Sequence, residues 1–375
     1  MRLVFWQSIL SPHQAPYIRA LAGRPGWDVT VVAESRMTPD RVAMGWAVPD
    51  FGQARITVSS GSSCALALKE CGQDAIHLME GIRGCSLVRE VLPILRKRSA
   101  RVGIISESAD SRGLKGCLRR LAYTWWALRY ATDIDFILAM GNQGVDWYRE
   151  CRFPKSRIYP FAYTTDCKRP SEITLPANRN SPMALIFIGR CIEGKGVPIL
   201  LRALSTISTS TWTLTVIGDG PALRDWQHLA SQLGIADSCR WMGALPNIAA
   251  IEWLRHADIL LLPSTGKEGW GAVINEALMQ GVPVLCSDRC GARDLLAEPW
   301  IGEVFKTDSV KSLGDVLARW IVRGKRTPEL TKRIQAWSRC IEGDSVADYF
   351  ASVLRHVYGG AQRPVPQWSW NGFCT

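Results

Sequence analysis

The chain has 375 residues and a formal net charge of +11, with 47% apolar and 21% charged residues. This length exceeds what one hydrophobic core usually supports, so it predicts two domains, and the composition excludes a disordered or fibrous protein. Its apolar runs are of strand length, as at Ala257–Pro263, and none approaches the roughly 18 residues of a bilayer span. The positive charge favours acidic partners: nucleotide phosphates, anionic lipid or nucleic acid.

The cysteines and the first residues predict where the protein works. Twelve cysteines without any C-x-x-C pair are typical of reduced thiols. The residues up to Pro16 lack the apolar length and the cleavage site of a signal peptide. We therefore expect a cytoplasmic protein.

Short apolar runs alternate with amphipathic stretches of helix length, which is the pattern of βαβ units in a parallel sheet. The segment Asp166–Ser181 is rich in Pro, Ser, Thr, Asn and charge, lacks periodicity, and is predicted to link two domains. The strands predicted before it are Arg2–Trp6, Asp28–Ala33, Ala54–Val58, Ala75–Met79, Val102–Ser106, Phe136–Met140 and Ile158–Phe161.

A second alternation follows the linker. It predicts strands at Leu185–Gly189, Thr213–Gly218, Cys239–Met242, Ile259–Pro263 and Pro283–Ser287. The fold class is therefore α/β, with two doubly wound domains in series. Because such sheets bind ligands outside the carboxyl ends of their strands, the motifs at strand ends carry the functional information.

The most informative motif follows the strand Ile259–Pro263. Gly269 and Gly271 flank Trp270 where a loop enters a helix that is predicted to run to about Gln280. Free backbone N–H groups and the helix dipole favour a phosphate there, and the glycines let the backbone approach it. This strand end is predicted to bind a diphosphate.

Two acids accompany that helix start. Glu268 lies on the loop, and Glu276 lies about two turns into the helix, so both can face one ligand. Carboxylates beside a diphosphate would accept hydrogen bonds from hydroxyl groups. The alternative is that both are solvated acids without a function.

A second motif ends the first strand after the linker. Gly189 and Arg190 close the strand, and Lys195 precedes the next helix. Two cations at one strand end would clamp a diphosphate and offset charge on a leaving nucleotide. Taken alone, they could equally be solvated surface residues.

Together these segments closely resemble glycosyltransferase family 4, the retaining enzymes of the GT-B fold (glycosyl transferases group 1). The resemblance covers most of the second domain and implies two Rossmann-like domains facing across a cleft. It implies that Glu268 contacts donor-sugar hydroxyls, Glu276 the ribose, and the Gly269–Gly271 backbone the diphosphate. Arg190, Lys195 and Glu268 would form the catalytic group. The residues implied to bind the nucleotide-sugar are Gly189, Arg190, Lys195, Gly218, Met242, Glu268, Gly269, Trp270, Gly271 and Glu276.

The first domain resembles the family less closely. His13 and Gln14 follow the first strand, where relatives present a loop to donor and acceptor. Where many relatives carry a further histidine, this chain has Glu107 instead, which would bind hydroxyls as a substitute. The alternatives are a structural hydrogen-bonding role for His13 and, for Glu107, an exposed acid at a capped strand end.

The resemblance also implies the domain plan and the reaction. Residues 1–167 form the acceptor-side domain, 168–181 the linker, 182–344 the nucleotide-sugar domain, 345–358 a final helix returning to the first domain, and 359–375 a tail. We expect retaining transfer from a nucleotide-sugar to a carbohydrate or lipid-linked carbohydrate in bacterial-type cell-surface polysaccharide or lipopolysaccharide biosynthesis, without metal, cofactor or nucleic acid. The alternatives are another GT-B enzyme, such as an epimerase or phosphorylase, and a non-catalytic nucleotide-binding protein.

The segment Arg112–Thr132 has five basic residues and no acid. It predicts a helix with apolar residues on one face, among them Leu121 and Trp125, and a basic cluster towards its first turns. This combination suits a helix at an anionic membrane surface, which would make the enzyme peripheral on the inner face. The alternative is that the apolar stripe is core.

Overall fold

The computed structural model describes residues 1–43, 46–58, 68, 72, 74–82, 84–167 and 181–369. They divide into two compact units. Unit 1 contains the described residues of 1–43, 47–166 and 340–375, and unit 2 contains those of 44–46 and 167–339. Apart from Ser181, the predicted linker 168–181 lies outside the described residues, as does 370–375 of the predicted tail, so the boundaries drawn there stay predictions.

The sheet of unit 1 is formed by β1 (Arg2–Ile9), β2 (Asp28–Ser35), β3 (Arg55–Val58), β4 (Ile76–Glu80), β5 (Arg101–Ser106), β6 (Phe136–Met140) and β7 (Ile158–Phe161). All of its strand pairs are parallel, in the order β3-β2-β1-β4-β5-β6-β7. The order reverses between β1 and β4. In doubly wound sheets a ligand binds at the carboxyl ends of the strands beside this point.

The helices of unit 1, numbered in chain order, are α1 (Ala15–Ala22), α2 (Pro39–Ala43), α3 (Ser86–Lys97), α4 (Gly113–Tyr130), α5 (Gly141–Glu150) and α12 (Gly343–Gly359). The last of these packs on α1. Gly343 permits the contact, because a Cβ there would lie 2.6 Å from the carbonyl oxygen of Pro16. Phe350 of α12 extends the contact by packing against the rings of Tyr17 and Phe161.

The sheet of unit 2 is formed by β8 (Met183–Ile188), β9 (Trp212–Ile217), β10 (Cys239–Trp241), β11 (Ile259–Leu262), β12 (Val284–Ser287) and β13 (Gly302–Phe305). Its strand pairs are also parallel, in the order β10-β9-β8-β11-β12-β13. Here the order reverses between β8 and β11. The loops that follow these two strands therefore lie at the ligand-binding position of the sheet.

The helices of unit 2 are α6 (Val197–Leu204), α7 (Leu223–Gln232), α8 (Asn247–Leu254), α9 (Ala272–Met279), α10 (Val310–Arg323) and α11 (Pro328–Trp337). A buried arginine, Arg326, ties two of them together. Its guanidinium donates to the carbonyl oxygen of Arg255 at the end of α8 and to those of Gln280 and Gly281 at the end of α9. A cation at the carboxyl ends of two helices complements their dipoles and fixes how α8 and α9 lie together.

Each strand predicted from the sequence is present, within a few residues at its ends. The α/β prediction with two doubly wound sheets is confirmed. One strand was missed: β13 reads GEVF, and its four residues contain no apolar run of the kind that marked the others. It forms because Val284–Ser287 offers it a parallel partner in β12.

Candidate active site

The loops that follow β8 and β11 contact each other at the carboxyl edge of the unit 2 sheet. The amide groups of Thr265 and Gly266 both donate to the carbonyl oxygen of Gly194, at 3.0 and 2.9 Å. Gly196 makes this approach possible: its φ is +68°, and a Cβ there would lie 2.0 Å from the carbonyl oxygen of Pro263. The two predicted motifs therefore share one strand-end site.

Lys195 and Glu268 form an ion pair across these two loops. Their side chains are only 17% and 18% exposed, so solvent screens the pair weakly. Ser264, two residues after the end of β11, also donates its hydroxyl to the Glu268 carboxylate at 2.9 Å. The structure thus brings a cation and a carboxylate together next to the start of α9.

The start of α9 is held by the residues that the motif predicted. Gly271 caps the helix in the left-handed region, with φ +91° and no side chain that could accept from the first amide groups. Trp270 is buried and donates its indole N–H to Asn275, at 2.8 Å, which anchors the turn to the helix. The first amide groups of a helix have no intrahelical acceptor, so they remain a ready anion site.

Glu276 lies within α9 and is only 8% exposed. Asn247, the first residue of α8, donates its side-chain amide to the carboxylate at 3.3 Å. Burial raises the pKa of Glu276 to about 7, and the hydrogen bond from Asn247 opposes part of that shift. The alternative of a solvated helix acid is therefore wrong, and a ligand with hydroxyl donors would stabilise the ionised carboxylate.

Three further predicted residues lie at the same edge of the sheet. Gly189 and Gly218 directly follow the adjacent strands β8 and β9, and a Cβ on Gly218 would lie 1.9 Å from the carbonyl oxygen of Gly189. The amide of Met242 donates to Val216, which places Met242 beside them after β10. The close backbone approach accounts for glycine at 218 without any ligand.

Arg190 differs from its neighbours. The side chain of Arg190 is exposed. Among the residues that the structure describes, none forms a hydrogen bond or an ion pair with this side chain. The structure therefore pairs Lys195, and not Arg190, with Glu268. Sequence reasoning missed Ser264 and Asn247, whose side chains reach the two glutamates. Neither stands in a recognisable motif, although Asn247 begins a helix after Pro246.

In unit 1, His13 and Glu107 line a cavity of about 350 Å³ at the carboxyl ends of β1, β4 and β5. Burial and the charge of Arg41 lower the pKa of His13 to about 4, so its imidazole is neutral at pH 7. Gln14 is buried elsewhere in the unit, where its side-chain oxygen accepts hydrogen bonds from Gln7 and Tyr17. It therefore acts within the protein's own hydrogen-bond network.

Helix α4 carries an unusual surface. Among its 18 residues only Gly116, Ala127 and Tyr130 are buried. What we call the apolar face of α4 consists of large side chains that are 56–86% exposed, namely Leu114, Leu118, Leu121, Trp125 and Leu128. The alternative that this stripe belongs to the core is therefore wrong.

Basic residues surround the apolar face of α4. Arg119 and Arg120 are exposed within the helix, together with Lys115 and Arg129. Arg120 lies 3.4 Å from Glu150, and Arg119 donates to the backbone of Asp110.

No helix in the described ranges is both long and apolar enough to cross a bilayer. Those ranges also contain no group of three or more His, Cys, Asp or Glu side chains placed to hold a metal ion.

Comparison with known proteins bears on both units. Residues 175–337 match the family described as glycosyl transferases group 1. The phosphatidyl-myo-inositol mannosyltransferase of Mycobacterium leprae is 30% identical over 137 residues, which are 36% of this chain and 36% of the relative. The chain thus spans about a third of that relative's length, and the likeness is confined to this segment.

Two solved structures resemble nearly the whole chain. The lipopolysaccharide outer core galactosyltransferase WaaB, in its apo form, has a TM-score of 0.71 and 19% identity, covering 96% of this chain and all of WaaB. Anabaena HepE in complex with UDP has a TM-score of 0.70 and 15% identity, covering 94% of this chain and 99% of HepE. The chain therefore has the GT-B fold of these proteins, and residues 175–337 carry the sequence pattern of the group 1 glycosyl transferases.

Proposed function

We propose that this protein is a retaining glycosyltransferase of family 4 that moves a sugar from a nucleotide-sugar donor to an acceptor. The observation that carries the proposal is the ion pair between Lys195 and Glu268 beside the open amino terminus of α9. It lies in the segment that matches the group 1 family and at the ligand-binding edge of the sheet. A cation, a free helix start and hydroxyl-binding carboxylates are the groups that a sugar diphosphate requires.

In this proposal the donor separates Lys195 from Glu268. The ammonium group turns to the diphosphate, and the carboxylate accepts from donor-sugar hydroxyls. Arg190, exposed at the same strand end, reaches the phosphates from solvent. Stabilising charge on the leaving diphosphate is worth several kcal/mol when water is excluded. The transfer then needs no metal ion, since Lys195, Arg190 and the helix dipole supply the positive charge.

The remaining donor contacts follow from the same arrangement. Glu276 accepts from the ribose hydroxyls, which favours its ionised form, and Asn247 holds the carboxylate in place. The backbone at Gly269–Gly271 approaches the diphosphate. Gly218 and Met242 line the pocket for the nucleobase. HepE was solved with UDP, which supports a uridine nucleotide as the first donor to test.

We place the acceptor on unit 1, with contacts from His13 and Glu107. Gln14 contributes only by shaping that region. WaaB acts on lipopolysaccharide and the mycobacterial relative on phosphatidyl-myo-inositol, by their names. These likenesses support a carbohydrate or lipid-linked acceptor in cell-surface polysaccharide or lipopolysaccharide biosynthesis.

We further propose that the apolar face of α4 docks on an anionic membrane surface on the cytoplasmic side. Exposed leucines and a tryptophan would enter the interface, while Lys115, Arg119 and Arg120 contact lipid phosphates. Each basic residue near such a surface contributes about 1 kcal/mol, so the binding is reversible and weakened by salt. No observation favours an epimerase, a phosphorylase or a non-catalytic nucleotide-binding protein.

A screen of donors tests the proposal. UDP-glucose, UDP-galactose, GDP-mannose and ADP-glucose are added to the protein, with and without EDTA, and thermal unfolding is followed. A donor at a hundred times its Kd stabilises the fold by about 2.7 kcal/mol, and we expect one of them to do so in EDTA as well. We expect Lys195→Ala to weaken donor binding and slow transfer at least tenfold.

Lys311→Ala is the matched control, because Lys311 is 89% exposed on α10 and far along the chain from the motifs. It should retain the full response. The donor-site assignment is wrong if no nucleotide-sugar stabilises the protein, or if Lys195→Ala keeps wild-type donor affinity and turnover. A response that EDTA abolishes and MgCl₂ restores would contradict the metal-free transfer.

A further inference from the structure

The cavity of unit 1 lies at the carboxyl ends of β1, β4 and β5, where the strand order reverses. Its volume of about 350 Å³ falls within the roughly 300–1,000 Å³ range of small-molecule sites. It is lined by polar side chains from these strand ends and by residues of α2 and α4. Those on which the inference depends are His13, Arg41, Glu80, Glu107, Tyr123 and Tyr163.

Two carboxylates are held in this cavity. Glu80, the last residue of β4, accepts a hydrogen bond from the backbone N–H of Ser8 on the neighbouring strand β1. Glu107, just after β5, accepts a hydrogen bond from the hydroxyl of Tyr163. Burial and the nearby acids raise the pKa of Tyr163 well above its usual value. A carboxylate has about four acceptor positions, so each retains room for further donors.

The charge of the lining is negative overall. Arg41 is the one cation among the described lining residues, against Glu80 and Glu107. His13 adds no charge near neutral pH, since its pKa is lowered to about 4 by burial and by Arg41. An anionic group in so small a cavity would lie close to two carboxylates, whereas hydroxyl and ammonium groups would donate to them.

We propose that this cavity selects the acceptor sugar by charge, binding an uncharged or amino-bearing ring through Glu80 and Glu107 and rejecting a ring that carries a carboxylate or phosphate. The inference rests on the proposed function in taking unit 1 as the acceptor side. Glu80 is a specificity-determining residue in this account. Tyr123 belongs to α4, so the ring can come from a free saccharide or from a glycolipid at the surface on which α4 docks.

The test measures binding without turnover, by saturation-transfer NMR and calorimetry. The probes are p-nitrophenyl glucoside, galactoside, mannoside and glucosaminide, together with p-nitrophenyl glucuronide and galacturonide and with glucose 6-phosphate. At least one uncharged or amino probe should bind, and the acidic probes at least tenfold more weakly. Glu80→Gln and Glu107→Gln should each weaken the favoured probe at least fivefold and reduce the discrimination against its uronide.

Glu80→Gln keeps an oxygen for the Ser8 amide, so the fold should survive, and thermal unfolding with the donor checks this. Glu90→Gln is the matched control, because Glu90 is exposed on α3 outside the cavity. The proposal is overturned if an acidic probe binds as tightly as every uncharged one, if none of the uncharged or amino probes binds, or if both glutamine variants retain wild-type affinity and preference.

A second arm separates the two sources of the sugar. Dodecyl glycosides of the favoured ring, embedded in vesicles of phosphatidylglycerol and phosphatidylcholine, are compared with the free p-nitrophenyl glycoside. Tighter binding to vesicles supports a glycolipid acceptor, and equal binding supports a free saccharide; both agree with charge selection. Because turnover is not measured, a chain that transferred no sugar would contradict the proposed function without deciding this result.

Discussion

Glu276 is the residue whose chemistry the structure defines most sharply. Burial raises its pKa to about 7, so the folded apo protein holds a proton there that the unfolded chain releases near pH 4.5. Since the native state binds more protons than the unfolded state in this window, stability falls as the pH rises from about 4.5 to about 7. The Glu276→Gln variant has no titrating group at this position, so its unfolding free energy lacks this decrease with pH.

We therefore predict that the unfolding free energy of the wild type, compared with Glu276→Gln, decreases by up to about 3 kcal/mol between pH 4.5 and pH 8. Urea unfolding at several pH values measures it. Glu252→Gln, an exposed acid on α8, should show no such trend relative to the wild type. A constant difference between wild type and Glu276→Gln would contradict the buried acid.

At the same scale, the sequence predicted which residues lie together at the strand ends of unit 2 better than it predicted their hydrogen-bond partners. Glu268, Glu276 and Lys195 stand in a motif with regular spacing, because the strand, loop and helix that carry them are contiguous. Ser264 and Asn247 reach the two glutamates through packing of elements that no spacing relates. Gln14 looked like a loop residue, but the side chains of Gln7 and Tyr17 enclose it.

Among the elements, α4 is the one whose surface is least explained by the fold. We predict that the protein sediments with vesicles of phosphatidylglycerol at low salt and is released at high salt. Changing Arg119 and Arg120 to Glu should weaken vesicle binding at least tenfold, since each basic residue contributes about 1 kcal/mol and the reversal adds repulsion. Because Leu121 and Trp125 are exposed, we expect apolar contact to contribute to this binding as well.

A matched pair of charge reversals, Lys311→Glu with Lys332→Glu, changes the net charge equally on exposed positions of unit 2. It should leave vesicle binding close to the wild type. Equal sedimentation with phosphatidylcholine and phosphatidylglycerol vesicles, or equal loss in the two double variants, would refute a docking role for α4.

Elements were predictable from the sequence where burial on both faces gives an apolar run, as in Phe136–Met140 and Ile259–Leu262. Where a strand depends on pairing with a neighbouring strand, as β13 does, the periodicity of its own sequence does not predict it. For α4 the pattern of apolar residues was visible, but a stripe in sequence does not reveal which side of a helix the rest of the unit covers. The structure answers this, with the stripe exposed.

At the scale of the whole molecule, each unit has a parallel sheet whose strand order reverses once, and doubly wound sheets bind ligands at the strand ends beside such a reversal. Alternation of strands and helices predicted this plan because parallel strands need helical crossovers. The sequence could not identify the sugar, base or acceptor, since those depend on side chains that line a cavity from separate elements, as Glu80 and Tyr163 do.

We propose that this chain is a retaining glycosyltransferase, and this is our central claim. Proton NMR of the first product formed from the donor that the screen selects tests it most directly, with Glu268→Gln as the variant that should lower the rate at least tenfold. We predict that the anomeric coupling constant of the new glycosidic bond reports the same configuration as the donor. An inverted anomeric centre in the early product, or no transfer to any acceptor, would contradict the claim.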